Sequence, residues 1–268
     1  MASPPALENL ENAVAYSSAD AIETYRENAA TTGLFEPERD ILDRYFTTRG
    51  ARVLDVGCGA GRTTVELDKR GFDVTGVDCS REMIRAAQEL FPGVNVAVAD
   101  ATDLPFPNNS FPYVLYSYCG VDYIYPADQR LEALLEINRV LEPGGIFAFS
   151  THNCLYNLPA LVDDWKHLRN LYIENGNLRR LFDQYKIDGR EYAVTTYISS
   201  PRRQHRQLEC CGFEYVEYVG KRESPLQYLE RRPYYVARKP EYADDTTPNT
   251  ESQFSRGIDE VPPSESTG

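Results

Sequence analysis

Residues Val53 to Gly61 read VLDVGCGAG, an apolar run that ends in Asp55 and opens into Gly57, Gly59 and Gly61 at alternate positions, with Cys58 between the first two. Glycines so spaced permit a tight turn and let the main chain approach a ligand that any Cβ would obstruct. A dinucleotide fingerprint starting at Gly57 would need glycine or alanine at position 62, where this chain has Arg62. A second acid, Asp78, closes the run DVTGVD and is followed by Cys79 and Ser80. An ionised carboxylate only accepts hydrogen bonds. Ser80 is the natural N-cap for SREMIRAAQEL, which leaves Asp78 without the capping role. His152, in STHN, is an imidazole suited to take a proton near neutrality. A structural histidine bonded in a strand-end turn would look the same.

These residues need elements to carry them. ARVLDV (51–56), a helix near 62–70, DVTGVD (73–78), a helix near 80–90 and VNVAVA (94–99) give the β-α-β-α-β rhythm of a parallel sheet. The rhythm continues with YVLYSY (113–118), a helix from about Asp128 to Leu141, a turn at Pro143-Gly144-Gly145 and the strand IFAFST (146–151). A helix near 201–211, FEYVEYVG (213–220) and PYYVARK (233–239) complete seven strands. The expected fold is α/β: a Rossmann-like, doubly wound, seven-stranded, mostly parallel sheet whose last strand is antiparallel.

Residues 1–48 are read as N-terminal helices, with apolar positions at Ile22, Tyr25, Ile41, Leu42, Tyr45 and Phe46. The main domain is expected over 49–240. It carries an inserted lid at about 152–200, with helices near 158–173 and 177–185 and a strand over 191–198. Residues 241–268, rich in Thr, Pro, Ser and acids, are expected to be a disordered acidic tail.

From about residue 50 to 151 the chain resembles the class I S-adenosylmethionine-dependent methyltransferases motif by motif, of the type 11/25 kind. The resemblance implies S-adenosylmethionine as cofactor. It assigns Asp55 to the ammonium of the methionine moiety and the turn Gly57, Cys58, Gly59, Gly61 to its backbone cradle. Asp78 and Cys79 fall at the ribose, Asp100 and Ala101 at the adenine, and Ser117 and Tyr118 on the methionine side. INRVLEPGGIFAFS (137–150) matches the family's approach to its fifth strand. One departure is Pro112 after Phe111, where the family often has Asp. Methyl transfer is an in-line displacement that mainly needs alignment, so no protein nucleophile is required. His152 is the candidate base, with Asn153, Asp122 and Tyr123 beside it as further candidates. Tyr16 and Tyr25 could close over the cofactor or pack in the core. The lid aromatics Tyr156, Trp165, Tyr172, Tyr185, Tyr192 and Tyr197 could stack on an acceptor or on one another.

Composition narrows the partners. A formal charge of -13 opposes a phosphate backbone, and Arg202 to Arg206 is the basic stretch, read as a solvated helix face. A small-molecule acceptor is therefore expected over RNA or protein. A non-catalytic adenosyl-ligand-binding protein is the rival outside enzymes, and an NAD-dependent oxidoreductase fits less well. Lysine occurs only at Lys69, Lys166, Lys186, Lys221 and Lys239 against 41 acids, a balance that resembles salt-adapted proteins and equally an ordinary acidic one. Six cysteines without a CxxC pair, and three scattered histidines, suggest reduced thiols and no metal. No apolar run reaches the roughly 20 residues of a membrane span, and a cytoplasmic protein is expected.

Overall fold

The structure is a computed structural model, and it describes residues 18–180, 184–188, 194–220 and 225–241. Tyr16, Tyr192, the start of the N-terminal helical segment and the tail beyond 241 lie outside the described residues. Two helices come first, α1 (Ala19–Thr31) and α2 (Glu36–Tyr45). Then follow β1 (Arg52–Val56), α3 (Arg62–Lys69), β2 (Asp73–Asp78), α4 (Arg81–Leu90), β3 (Val96–Val98) and β4 (Phe111–Tyr116). A 3-10 turn, Gly120–Tyr123, leads to α5 (Ala127–Val140) and β5 (Leu141–Ser150).

The seven strands lie in the order β3-β2-β1-β4-β5-β10-β9, where β9 is Glu214–Val219 and β10 is Tyr234–Arg238. β10 runs antiparallel to both β5 and β9, and the pairs from β3 to β5 are parallel. Strand alternation divides the core between the two faces of the sheet. Leu54, Val56, Val114 and Tyr116 point to the side covered by Leu134 and Ile137 of α5. Val53, Tyr113 and Leu115 point to the side covered by Ile41 and Leu42 of α2 and Leu67 of α3. Strands buried on both faces must be apolar throughout, as these sequences are.

The turn expected at Pro143-Gly144-Gly145 lies inside β5 instead. The register jumps from Phe111↔Leu141 to Tyr113↔Ile146, a bulge centred where Gly144 adopts φ 77°. Pro112, the departure from the family pattern, falls at this jump, where its missing N–H costs no ladder bond.

The lid differs more from its sequence reading. It contains a second sheet of three strands, β6 (His152–Asn153), β8 (Val194–Ser199) and β7 (Tyr185–Asp188), in that order. The helix expected near 158–173 is broken into α6 (Asn157–Asp163), α7 (Trp165–Leu168) and a π-turn at Arg169–Glu174. Asp164 interrupts it by capping the N–H of His167 at 3.2 Å. The helix near 177–185 is replaced by a 3-10 turn, Asn177–Arg180, and Tyr185 already belongs to β7. Asn177 explains the change, because its side chain bonds Leu171 O and both backbone groups of Ile187. α8 (Pro201–Cys210) then returns the chain to the main sheet, with Arg202 and Arg206 on its exposed side.

Candidate active site

The strand order reverses between β1 and β4, and in open α/β sheets a ligand crevice forms at that point, beyond the carboxyl ends of the strands. The sequence places its chemistry there. After β1, Gly57, Gly59 and Gly61 take φ of 63°, 55° and 88°, left-handed values that L side chains rarely adopt. A Cβ on Gly57 would come within 2.6 Å of the Tyr116 ring, whereas one on Gly59 would meet only Tyr25, at 3.8 Å. The Gly59 backbone is thus the part of the turn that faces a cleft. Cys58 turns its side chain the other way, into a cluster with Ile84, Ala87 and Val96, so only its backbone is available to a ligand.

Asp55 is fully buried, and its Oδ2 accepts from the hydroxyls of Thr63 at 2.6 Å and Thr64 at 2.7 Å. Its Oδ1 has no partner. Burial raises the carboxyl to about 6 although the two threonines pull the other way. Asp78 accepts from the N–H of Gly59 through Oδ2 and of Ser80 through Oδ1, each at 2.9 Å. It therefore ties the glycine turn to the end of β2. Ser80 caps α4 through Met83 N, leaving each Asp78 oxygen a further acceptor site. Cys79 is exposed. Asp100 is exposed after β3 and bonds the backbone and hydroxyl of Thr102 through Oδ1, while Ala101 packs on the core.

Beyond β4, Tyr118 and Cys119 are non-glycine residues in the left-handed region, φ 54° and 61°. Strain of this kind clusters where a loop is held for function. The Tyr118 ring stacks on Phe35 with centroids 5.8 Å apart, meets Tyr25 edge-on at 6.1 Å, and lies 4.9 Å beneath the Arg232 guanidinium. Ser117 has its side chain committed elsewhere. It joins Glu38 of α2, Arg62 of α3 and Tyr234 of β10 in one buried network. Arg62 donates to both oxygens of Glu38 at 2.7 and 2.8 Å, and Phe35 N adds a third donor at 2.6 Å. Burial alone would raise the Glu38 carboxyl, yet these donors hold it below its usual range. Glu38 was not legible as a site residue: an acid in the first turn of a helix ordinarily serves only its cap and dipole. Arg62, legible only as a mismatch to the dinucleotide pattern, is its partner.

His152 is buried at the end of β5, with its Nδ1 3.0 Å from Asp122 Oδ2. Asp122 also receives the His152 backbone N–H and an ion pair from the fully buried Arg130, at 3.1 Å. Burial would lower the imidazole pKa, but Cys119 and Asp122 outweigh it and raise it to about 10. Asp122 on Nδ1 thus favours the protonated form of the candidate base. Sequence spacing could not reveal this, since His152 meets Cys119 and Asp122, which share the turn after β4, from 30 residues further along, with donor atoms within 4.8 Å of one another. Asn153 is consumed by structure, donating to the carbonyls of Tyr228 and Glu230 and accepting from Leu155 N. Tyr123 meets His152 edge-on at 5.8 Å. Among the lid aromatics, Tyr185 and Tyr197 pack on each other at 5.1 Å, Tyr172 takes a bond from Asn157, and Trp165 is exposed. Tyr156 and His152 line a small cleft together with His167, Thr196 and Arg231.

Known proteins agree with this geometry. Residues 53–145 match the Methyltransf_25 family model, described as a methyltransferase domain. The chain is 33% identical over 132 residues to the O-methyltransferase rstn1 of Aspergillus nomiae, an alignment that takes in 47% of this chain and 57% of that one. It is 34% identical over 132 residues to the demethylmenaquinone methyltransferase of Staphylococcus aureus, covering 47% of this chain and 51% of that one. The chain thus spans little more than half the length of these curated relatives. A SAM-dependent methyltransferase from Methanosarcina mazei superposes with a TM-score of 0.61 at 20% identity, over 78% of this chain and 99% of that one, a likeness of fold. The strand order, the crevice at its switch point and the match over residues 53–145 agree on a methyltransferase domain of the class I fold within this chain.

Proposed function

We propose that the protein transfers the methyl group of S-adenosylmethionine to a small-molecule acceptor. The observation that carries this reading is the convergence, at the carboxyl ends of β1 and β2, of a left-handed glycine turn, an Asp78 with spare acceptor sites and a buried Asp55 oxygen without a partner. This donor and acceptor set fits the cofactor. When bound, the cofactor supplies an electrophilic methyl group on a sulfonium sulfur.

The chain's own residues bind, orient and exclude water. The Gly59 backbone would lie against the cofactor, and Asp78 would accept from its ribose hydroxyls. Asp55 would hold the ammonium end, where a neighbouring cation favours the charge that burial opposes. Asp100 and Ala101 would flank the adenine. On the methionine side, the Ser117 and Tyr118 backbone closes the crevice while Tyr25 and Phe35 roof it with apolar surface.

A small acceptor suits a loop covered by Tyr25 of α1 and by Arg232 on Tyr118 better than a polymer does. The curated relatives point the same way, one being named for O-methylation and the other for a quinone-type substrate. The test is S-adenosylhomocysteine release in the presence of small acids, phenols and quinols, and separately of RNA. Turnover is expected with a small molecule and abolished in Asp78→Ala. Turnover confined to RNA or protein would contradict the reading.

A further inference from the structure

Arg232 has a position and a shortage of partners that the cofactor leaves unexplained. The β5·β10 pairing, Tyr234↔Ser150, continues past both strands through Thr151 N→Pro233 O at 3.2 Å and Asn153 N→Arg231 O at 3.1 Å. This register sets Arg232 directly opposite His152, at a position where no backbone bonds are exchanged and side chains lie closest. The guanidinium covers Tyr118, at the loop beyond β4, and its charge is felt by Cys119 and Tyr123. The guanidinium hydrogen-bonds Tyr118, while its Nε is buried and makes no hydrogen bond. Among the described residues, no carboxylate forms an ion pair with it. The one acid in the cluster, Asp122, is already shared by Arg130 and His152. Arg232 and the His152 imidazole therefore lie side by side at the loop beyond β4, in a chain whose formal charge is -13.

We propose that Arg232, with His152 opposite it, binds the carboxylate of a small acidic acceptor, and that the protein is an O-methyltransferase making methyl esters. The proposal rests on the methyltransferase reading and names its substrate class. A half-buried guanidinium with an unpaired Nε–H is a group well matched to a carboxylate. The chemistry also removes the need for a base. A carboxylate oxygen is already anionic at neutral pH; its lone pair forms the bond to the methyl carbon as the carbon–sulfur bond breaks. The electron pair goes to sulfur, the sulfonium becomes a neutral thioether, and no proton moves. That agrees with a candidate base whose protonated form Asp122 favours.

The test uses benzoate, cinnamate, hexanoate and decanoate, each against its neutral amide, titrated calorimetrically into the protein saturated with S-adenosylhomocysteine. At least one acid is expected to bind about tenfold or more tightly than its amide. Arg232→Gln should lose that preference, and Arg232→Lys should restore part of it. S-adenosylhomocysteine affinity and the melting temperature of both variants should stay near wild type. With methyl-labelled cofactor, the product label should be released as methanol by mild alkali, the mark of an ester. Equal binding of acids and amides, no binding of any acid to the cofactor-loaded protein, or an alkali-stable product would overturn the proposal. So would loss of S-adenosylhomocysteine binding in Arg232→Gln, which would assign the guanidinium to the cofactor's own carboxylate. Failure of the wild-type protein to bind S-adenosylhomocysteine at all would instead strike the reading beneath it.

Discussion

Burial lifts the Asp55 carboxyl to about 6, and that shift makes the unliganded fold sensitive to pH. The folded state holds the proton more tightly than the unfolded chain, so the stabilisation is complete below the unfolded pKa near 4 and is lost as pH rises through about 6. A displacement of this size corresponds to about 3 kcal/mol. Asp55→Asn keeps an acceptor for Thr63 and Thr64 without a charge to bury, so its denaturation midpoint should lack the wild-type fall between pH 4 and 6. A parallel decline in the two proteins would show that Asp55 is ionised in the fold. Residues of this kind were legible because their role is local. Asp55, the three glycines and Asp78 sit at strand ends where type and spacing alone define the work. His152 was legible only by position. Its surroundings depend on Asp122 and Cys119, which arrive together from the turn after β4.

Glu38 is the point at which α2, α3, β4 and β10 meet, and the account makes it the link between the N-terminal helices and the sheet. Glu38→Ala would leave Arg62 buried without a counter-charge, a loss of about 3–5 kcal/mol. Equilibrium unfolding in urea should register it as a lower midpoint with an unchanged slope; a change under about 1 kcal/mol would remove Glu38 from this role. The turn beyond β4 depends on a second close contact, where the Tyr116 ring lies against both Gly57 and Gly120. A Cβ at Gly120 would approach that ring to 2.2 Å. Gly120→Ala should therefore cost about 1–3 kcal/mol, and much of the cost should vanish in the Tyr116→Leu background. Additive effects in that double-mutant cycle would deny the contact. Helices and strands from 51 to 150 could be read from their periods because each buries a full face. The lid could not be read so well, since its course is set by single side-chain bonds, Asp164 to His167 N and Asn177 to Ile187, which leave no periodic trace.

The whole molecule is acidic, with 41 Asp and Glu against 28 Lys and Arg. Self-repulsion at a formal charge of -13 is screened by salt, so the melting temperature should rise between about 10 mM and 0.5 M KCl and then level off as the Debye length falls to a few ångströms. A melting temperature indifferent to salt would mean that the acidic charge is spread too thinly to act. No helix among the described residues is long and apolar enough to cross a membrane. The order of strands, with its reversal between β1 and β4, is what turns separate motifs into a single crevice, and the β-α-β rhythm made that much legible. The aromatic roof from α1 and the opposition of Arg232 to His152 come from long-range packing and appear only in three dimensions. The most direct test of the central claim is calorimetric titration with S-adenosylmethionine, S-adenosylhomocysteine and NAD, in wild type and Asp78→Ala. The account requires both adenosyl ligands to bind wild type, NAD to fail, and the variant to stay folded while losing at least about tenfold in affinity. Binding of NAD alone, or undiminished binding by the variant, would contradict it.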